Sequence, residues 1–306
     1  MDHLSLFWVS PNREKYLKAI ETDFFQRVYR SVKDGTLELP PIPDVVISLQ
    51  RMCNDPNTTI RNVATLLLDD ATLTASVIRS ANSAVFSPRN QRPCHDISMA
   101  VSRLGMKRVL ALATAHAIQT LKTTSPFTAE CNELLRKSAL ASREFGSTMA
   151  LLCQKVRSYD DENTHLEVEK SLLIGLLADI GIYSAVKAYQ AYTDEGNYLD
   201  FEIASHVFYS VSKEASRFIL KSWDFDIDFV EVSVNRRIRK AEDDITYLDI
   251  AKMANHLLLF RANDEDIADH EVEITLAGAE ALYELSNLNE KDFRSQLTNI
   301  VNNCGF

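Results

Sequence analysis

Apolar side chains recur every three to four residues along most of this chain, and alternation with a period of two is almost absent. Tyr16, Leu17, Ile20, Phe24 and Val28 share one helical face. Ser10 followed by Pro11 reads as an N-cap and first helical position, and Asp34-Gly35 closes the pattern, which predicts a helix over about residues 11–34. The proline-rich "LELPPIPD" (37–44) breaks the period and predicts an extended connector. "VVISLQRM", "IRNVATLLLDD" and "ATLTASVIRSANS" follow as three short helices, with "NDPNTT" as the break after the first. The polar "VFSPRNQRPCHD" reads as a loop ending on Asp96, the N-cap of a short helix over "ISMAVSRLG". "MKRVLALATAHAIQTL" is a longer helix, and beyond Ser125-Pro126 "CNELLRKSALASREFGSTMALLCQKV" holds the helical period for about seven turns.

The charged "RSYDDENTHLE" separates that helix from "SLLIGLLADIGIYSAVKAY" (171–189). This stretch is apolar all round and predicts one buried central helix with a single carboxylate, Asp179, in its middle. Helical pattern returns in "ASRFILKSWDF" and "YLDIAKMANHLLLF", and two further helices close the chain. With no hairpin pattern and no internal repeat, the predicted fold is all-α.

Composition agrees with this and narrows the chemistry. Only 8 Gly and 8 Pro in 306 residues leave little material for the many turns of an all-β fold. A formal charge of −10 argues against general nucleic-acid binding. Cys53, Cys94, Cys131, Cys153 and Cys304 are odd in number, far apart and without a C-x-x-C pair, so they read as reduced thiols in a cytoplasmic protein. The N-terminal "MDHLSLFWVSPNREK" has no signal-peptide pattern. Asp179 interrupts the best candidate for a membrane span of roughly 20 apolar residues, so no membrane association is expected. No two of the seven histidines are four residues apart, which excludes a helical metal pair, and His116 reads as a core residue.

Four stretches carry a family resemblance: "LPPIPDVVISLQRMCNDPNTTIRNVATLLLDDATLTASVIRSANSAVFS" (39–87), "ISMAVSRLGMKRVLALA" (97–113), "GLLADIG" (175–181) and "ASRFILKSW" (215–223). In this order they resemble the HDOD family, the HD-related output domains of bacterial signalling proteins, over about residues 36–260. The resemblance implies a two-lobed helical bundle, with an N-terminal helical extension (1–35), a first lobe (36–122) and an HD-derived lobe carrying the C-terminal helices (123–306). It also implies descent from HD metal-dependent phosphohydrolases, whose His and Asp side chains hold divalent ions that acidify a bound water.

On that comparison Lys137 stands for the first histidine, and Ala178 for the central one with Asp179 kept beside it. Ser212 stands for the next histidine, Arg236 and Arg237 for a histidine pair, and Asn255 for the last aspartate. A lone surviving carboxylate does not make a hydrolytic metal centre of this kind. The resemblance therefore implies no metal, no cofactor and no enzyme activity, but a signal-transduction module that acts by binding a protein partner or a small phosphorylated ligand. Two rival readings stand beside it. One is a divergent metal-dependent phosphohydrolase of nucleotides or cyclic nucleotides. The other is a sensor taking a phosphorylated small molecule in the vestigial cavity through Lys137, Arg236 and Arg237.

A buried carboxylate must be paired, hydrogen-bonded or protonated. Three arrangements are open for Asp179: an ion pair with Lys137 and one of Arg236 and Arg237, capping of a helix N-terminus, and residual metal binding. "NRRIRK" (235–240), followed at once by "AEDD", reads as a solvated helix end. Arg79 and Asn82 mark the end of the "RSANS" helix, with Asn82 as its cap and both as candidate partner contacts. Leu6, Phe7 and Trp8 either pack on the body of the protein or form a self-association surface.

Overall fold

Polar caps begin several helices where the sequence predicts them. In the computed structural model Thr59 and Asn62 form a reciprocal capping box. The side chains of Asp70 and Asp96 each accept a backbone N–H three residues on, from Leu73 at 2.9 Å and from Met99 at 3.0 Å. The structure describes residues 22–41, 43–82, 93–159, 165–239, 245–270, 272 and 274–304, and among them every regular element is helical. The predicted start at Ser10-Pro11 and the apolar Leu6, Phe7 and Trp8 lie outside the described residues.

In chain order the helices are α1 (Asp23–Lys33), α2 (Asp44–Asn54), α3 (Ile60–Leu67), α4 (Ala71–Ala81), α5 (Ile97–Leu104), α6 (Met106–Thr124), α7 (Ala129–Tyr159), α8 (Val168–Leu177), α9 (Gly181–Asp194), α10 (Phe201–Ser222), α11 (Ile227–Val234), α12 (Tyr247–Ala262), α13 (Leu276–Ser286) and α14 (Glu290–Cys304). They fall into two compact units, Met1–Pro40 with Lys122–Asn289, and Pro41–Leu121 with Glu290–Phe306.

In the smaller unit Val46, Leu49, Val63, Leu67, Val77 and Val101 share one apolar core. Gly105, at φ +81°, makes the turn between α5 and α6 in a conformation that L side chains rarely adopt. The C-terminal α14 belongs here: Phe293, Leu297 and Ile300 are buried, and Ser80 Oγ on α4 donates to the Cys304 carbonyl at 3.1 Å. This differs from the linear division, which puts residues 290–306 with the second lobe, because the apolar face of α14 finds its partner far back in the sequence.

In the larger unit α1 is built in rather than appended. Phe24 is 1% exposed, with the rings of Tyr189, Tyr192 and Phe208 at centroid distances of 5.4–6.1 Å. Arg27 forks onto both oxygens of Glu195 at 2.5 and 2.6 Å. The long α7 passes α8 so closely that a Cβ on Gly175 would lie 2.3 Å from Gly146 Cα.

The predicted central helix is two helices. α8 ends at Leu177, a turn takes Ala178–Ile180, and α9 begins at Gly181. The Gly181 N–H donates to Ser216 Oγ at 2.9 Å, and a Cβ there would lie 2.3 Å from the Ser212 carbonyl oxygen, so α9 starts hard against α10. By length and composition Val168–Asp194 is apolar enough to cross a membrane, yet 89% of its most apolar window is buried inside the protein, as in a core helix.

Candidate functional site

The turn between α8 and α9 carries Asp179 into the interior, where 2% of the residue is exposed. Three side chains from two other helices converge on its carboxylate. Lys122, in the last turn of α6, places Nζ 2.5 Å from Oδ1, and both side chains of this pair are fully buried. Ser142 on α7 lies 2.9 Å from the same oxygen, and Ser138, four residues earlier on the same helical face, donates to Oδ2. Lys122 also donates to Ser142 Oγ at 3.0 Å, and that hydroxyl lies 2.6 Å from the Ser138 carbonyl. A serine hydroxyl has one proton. Ser142 therefore accepts from Lys122 and gives its proton either to Asp179 or to the Ser138 carbonyl. Burial pushes the Lys122 ammonium below the ordinary lysine range, and the neighbouring Asp179 carboxylate opposes that shift.

The ion pair expected for Asp179 exists, but with a different cation. Lys137 is exposed, while Ser138 beside it points inward, because successive helical residues lie about 100° apart around the axis. Arg236 is exposed, and Arg237 donates to the Asp249 carboxylate at 2.9 and 3.2 Å. The helix-capping alternative also falls, since among the described residues the hydrogen-bond partners of the carboxylate are all side chains. Ala178 and Asn255 are buried at 4% and 3% exposure, and Ser212 Oγ bonds back to the Tyr209 carbonyl at 3.1 Å. Ser212 still meets this turn through its carbonyl beside Gly181.

Lys122 carried no local signal, being 57 residues from its partner at a helix end where a cation is unremarkable. The two serines did: hydroxyls four residues apart on an otherwise apolar face are waiting for a polar partner.

Asn82 has a structural task in the smaller unit. Its amide donates to the Cys94 carbonyl at 2.7 Å and accepts the Cys94 N–H at 2.6 Å, tying two distant backbone points together. Arg79 is exposed.

Among the described residues the basic cluster at 235–239 does lie at a helix end, with Asn235 capping α11 and Arg236 and Arg239 exposed, but Arg237 and Arg239 are also engaged with carboxylates. Arg239 donates to Asp228 at 2.5 Å and to Glu231 at 2.8 Å, and Lys170 reaches Asp226 at 2.9 Å and Asp228 at 2.5 Å. Glu231, 1% exposed, accepts the N–H groups of Ile238 and Arg239, both at 2.7 Å. Burial works to raise the Glu231 pKa, but Arg239 and those two amides hold it below the usual carboxylate value.

A divalent ion of the HD kind needs several imidazoles and carboxylates around it. Among the described residues no three His, Cys, Asp or Glu side chains are placed to hold a metal ion, and both Asp179 oxygens already receive N–H or O–H donors. The residues present do not fit the metal. Cys153 offers no thiolate either, since burial pushes its pKa up to about 12.

Comparison with known proteins follows the same fold. The model of the HDOD domain matches residues 39–237. An uncharacterised protein of Treponema pallidum (strain Nichols) is 31% identical over 77 residues, which are 25% of this chain and 15% of that protein, so the match spans a small part of the relative. A solved structure from Shewanella amazonensis SB2B, whose name proposes a metal-dependent phosphohydrolase, aligns with a TM-score of 0.66 at 21% identity, over 96% of this chain and 99% of that one. An HDOD domain protein of unknown function from Geobacter sulfurreducens aligns with a TM-score of 0.52 at 18% identity, over 92% and 98%. At these identities the likeness is one of fold.

Proposed function

This chain belongs to the HDOD family, and on that premise we propose that it is a non-catalytic regulatory module, bacterial and cytoplasmic, that acts by binding a protein partner in a signalling pathway. The observation that carries the proposal is the buried Lys122–Asp179 pair. In hydrolytic HD chemistry a divalent ion lowers the pKa of a bound water. An ammonium neutralises the carboxylate equally well but has no coordination position to offer a water, so the charge is satisfied and the chemistry is lost.

The rival reading, a divergent phosphohydrolase, draws on the name of the Shewanella relative. A sensor of phosphorylated small molecules has less support, because Arg237 is engaged with Asp249 and both Lys137 and Arg236 face solvent. Hydrolysis of aryl phosphates, nucleotides and cyclic nucleotides, with manganese or magnesium present, separates the first two. The proposal predicts no metal-dependent turnover above that of an Asp179→Asn variant. Turnover that this exchange abolishes, in a protein that remains folded, would overturn it.

A further inference from the structure

Two exposed faces of the larger unit each set large apolar side chains beside charges, of opposite sign on the two faces. On α13 the outward residues are Leu276, Ala279, Glu280 and Tyr283, with Leu276 and Tyr283 at 78% and 75% exposure. The spacing i, i+3, i+4, i+7 makes these four the corners of a hole that receives one side chain from a facing helix. Ala279 leaves room in it, and Glu280 sets a negative charge at its edge. The inward residues of the same helix, Ala277, Gly278, Ala281 and Leu285, are buried, so this face is not needed for folding.

α7 carries the counterpart. Leu140 is 57% exposed on the side of the helix opposite Ser138 and Ser142. Lys137 and Arg143 are exposed to either side of it, each about 60° away around the helix. Neither cation, nor Glu280, is in an ion pair with a described residue. On a chain of net charge −10 most surfaces of two copies repel. The two cations flanking Leu140, outnumbering Glu144 one turn on, and an acidic edge on an apolar hole are where they attract.

We propose that the α7 face of one copy docks on the α13 face of a second copy, with Leu140 seated between Leu276 and Tyr283 and with Lys137 or Arg143 at Glu280. The two faces differ, so the contact is head to tail, and a pair keeps one free knob and one free hole between its two copies unless the rotation closes a ring. A single helix pair buries less than the ~1,000 Å² of a stable interface. Association is therefore weak, with a dissociation constant on the order of 100 μM, and it weakens further as salt screens the charges.

Sedimentation velocity of the full chain across that concentration range tests this, together with two surface variants whose folding is checked by thermal melting. Leu140→Glu removes the knob and Ala279→Arg fills the hole. The expected result is that the wild type associates with rising concentration and that each variant alone does so at least about tenfold more weakly. An equimolar mixture of the two variants forms dimers and stops there, because each supplies the face the other lacks. A wild type that stays monomeric throughout, variants that associate like the wild type, or a mixture that stays monomeric would each overturn the proposal.

Discussion

The ammonium of Lys122 sits 2.5 Å from one oxygen of the Asp179 carboxylate, and neither side chain reaches solvent. The pair joins the end of α6 to the turn between α8 and α9, and the Ser138 hydroxyl donates to the carboxylate oxygen that the ammonium leaves open, with Ser142 2.9 Å from the other. Such a pair adds little net stability over an apolar packing of the same volume, but breaking it strands a buried charge.

Asp179→Leu or Lys122→Met alone is therefore expected to destabilise by about 3–5 kcal/mol, whereas the two combined lose much less than the sum of the single losses. Urea unfolding of the double-mutant cycle measures the coupling. Additive losses contradict the pair.

Gly175→Ala tests the crossing of α7 and α8. In an exposed helix this exchange gains about 1 kcal/mol. Here the new methyl group would stand 2.3 Å from Gly146 Cα, a backbone atom that cannot rotate away. The helices must part, and a loss of about 1–3 kcal/mol or more is expected in chemical melts. A variant as stable as the wild type is incompatible with so close an approach.

Glu231 gives the account a pH dependence. Its folded-state pKa is depressed, so its stabilising effect is complete above the unfolded value of about 4.3 and is lost as pH falls through the lower folded value. Glu231→Gln is expected to be less stable than the wild type at pH 7, with the gap closing in acid below that window. A gap that persists unchanged in acid below that window would show that the carboxylate charge is not what holds Arg239 and the 238–239 amides.

Asn82→Ala removes both hydrogen bonds to the Cys94 backbone and is expected to destabilise by about 1–3 kcal/mol, with faster hydrogen exchange at the Cys94 amide. Arg79→Ala, at an exposed position, should stay within about 0.5 kcal/mol of the wild type. Equal losses in the two variants contradict the structural role given to Asn82.

Local chemistry made the helices legible. Asp96 caps the helix it is predicted to open, Thr59 and Asp70 cap two of the short helices before it, and the apolar period locates α7 within a few residues of its observed span, Ala129–Tyr159. Long-range pairing was not legible. Nothing local in "AIQTLKTT" sets Lys122 apart from an ordinary cation at a helix end, and position-by-position comparison handed its role to Lys137, one residue from the serine that turns inward. The break at Ala178–Ile180 escaped for a related reason. No proline marks it, and it is fixed by packing of Gly181 on α10 and by the pull of partners on Asp179. The placement of α14 with α4 depends on a contact between Ser80 and Cys304, which no periodicity encodes.

The central claim is that Lys122 supplies the positive charge that a metal supplies in hydrolytic HD chemistry. Elemental analysis of purified protein, after incubation with manganese, iron or zinc and desalting, tests it most directly. The account predicts metal far below one ion per chain, with no difference between the wild type and Asp179→Asn. One or two ions held per chain and released by that exchange, with the fold intact, would contradict it.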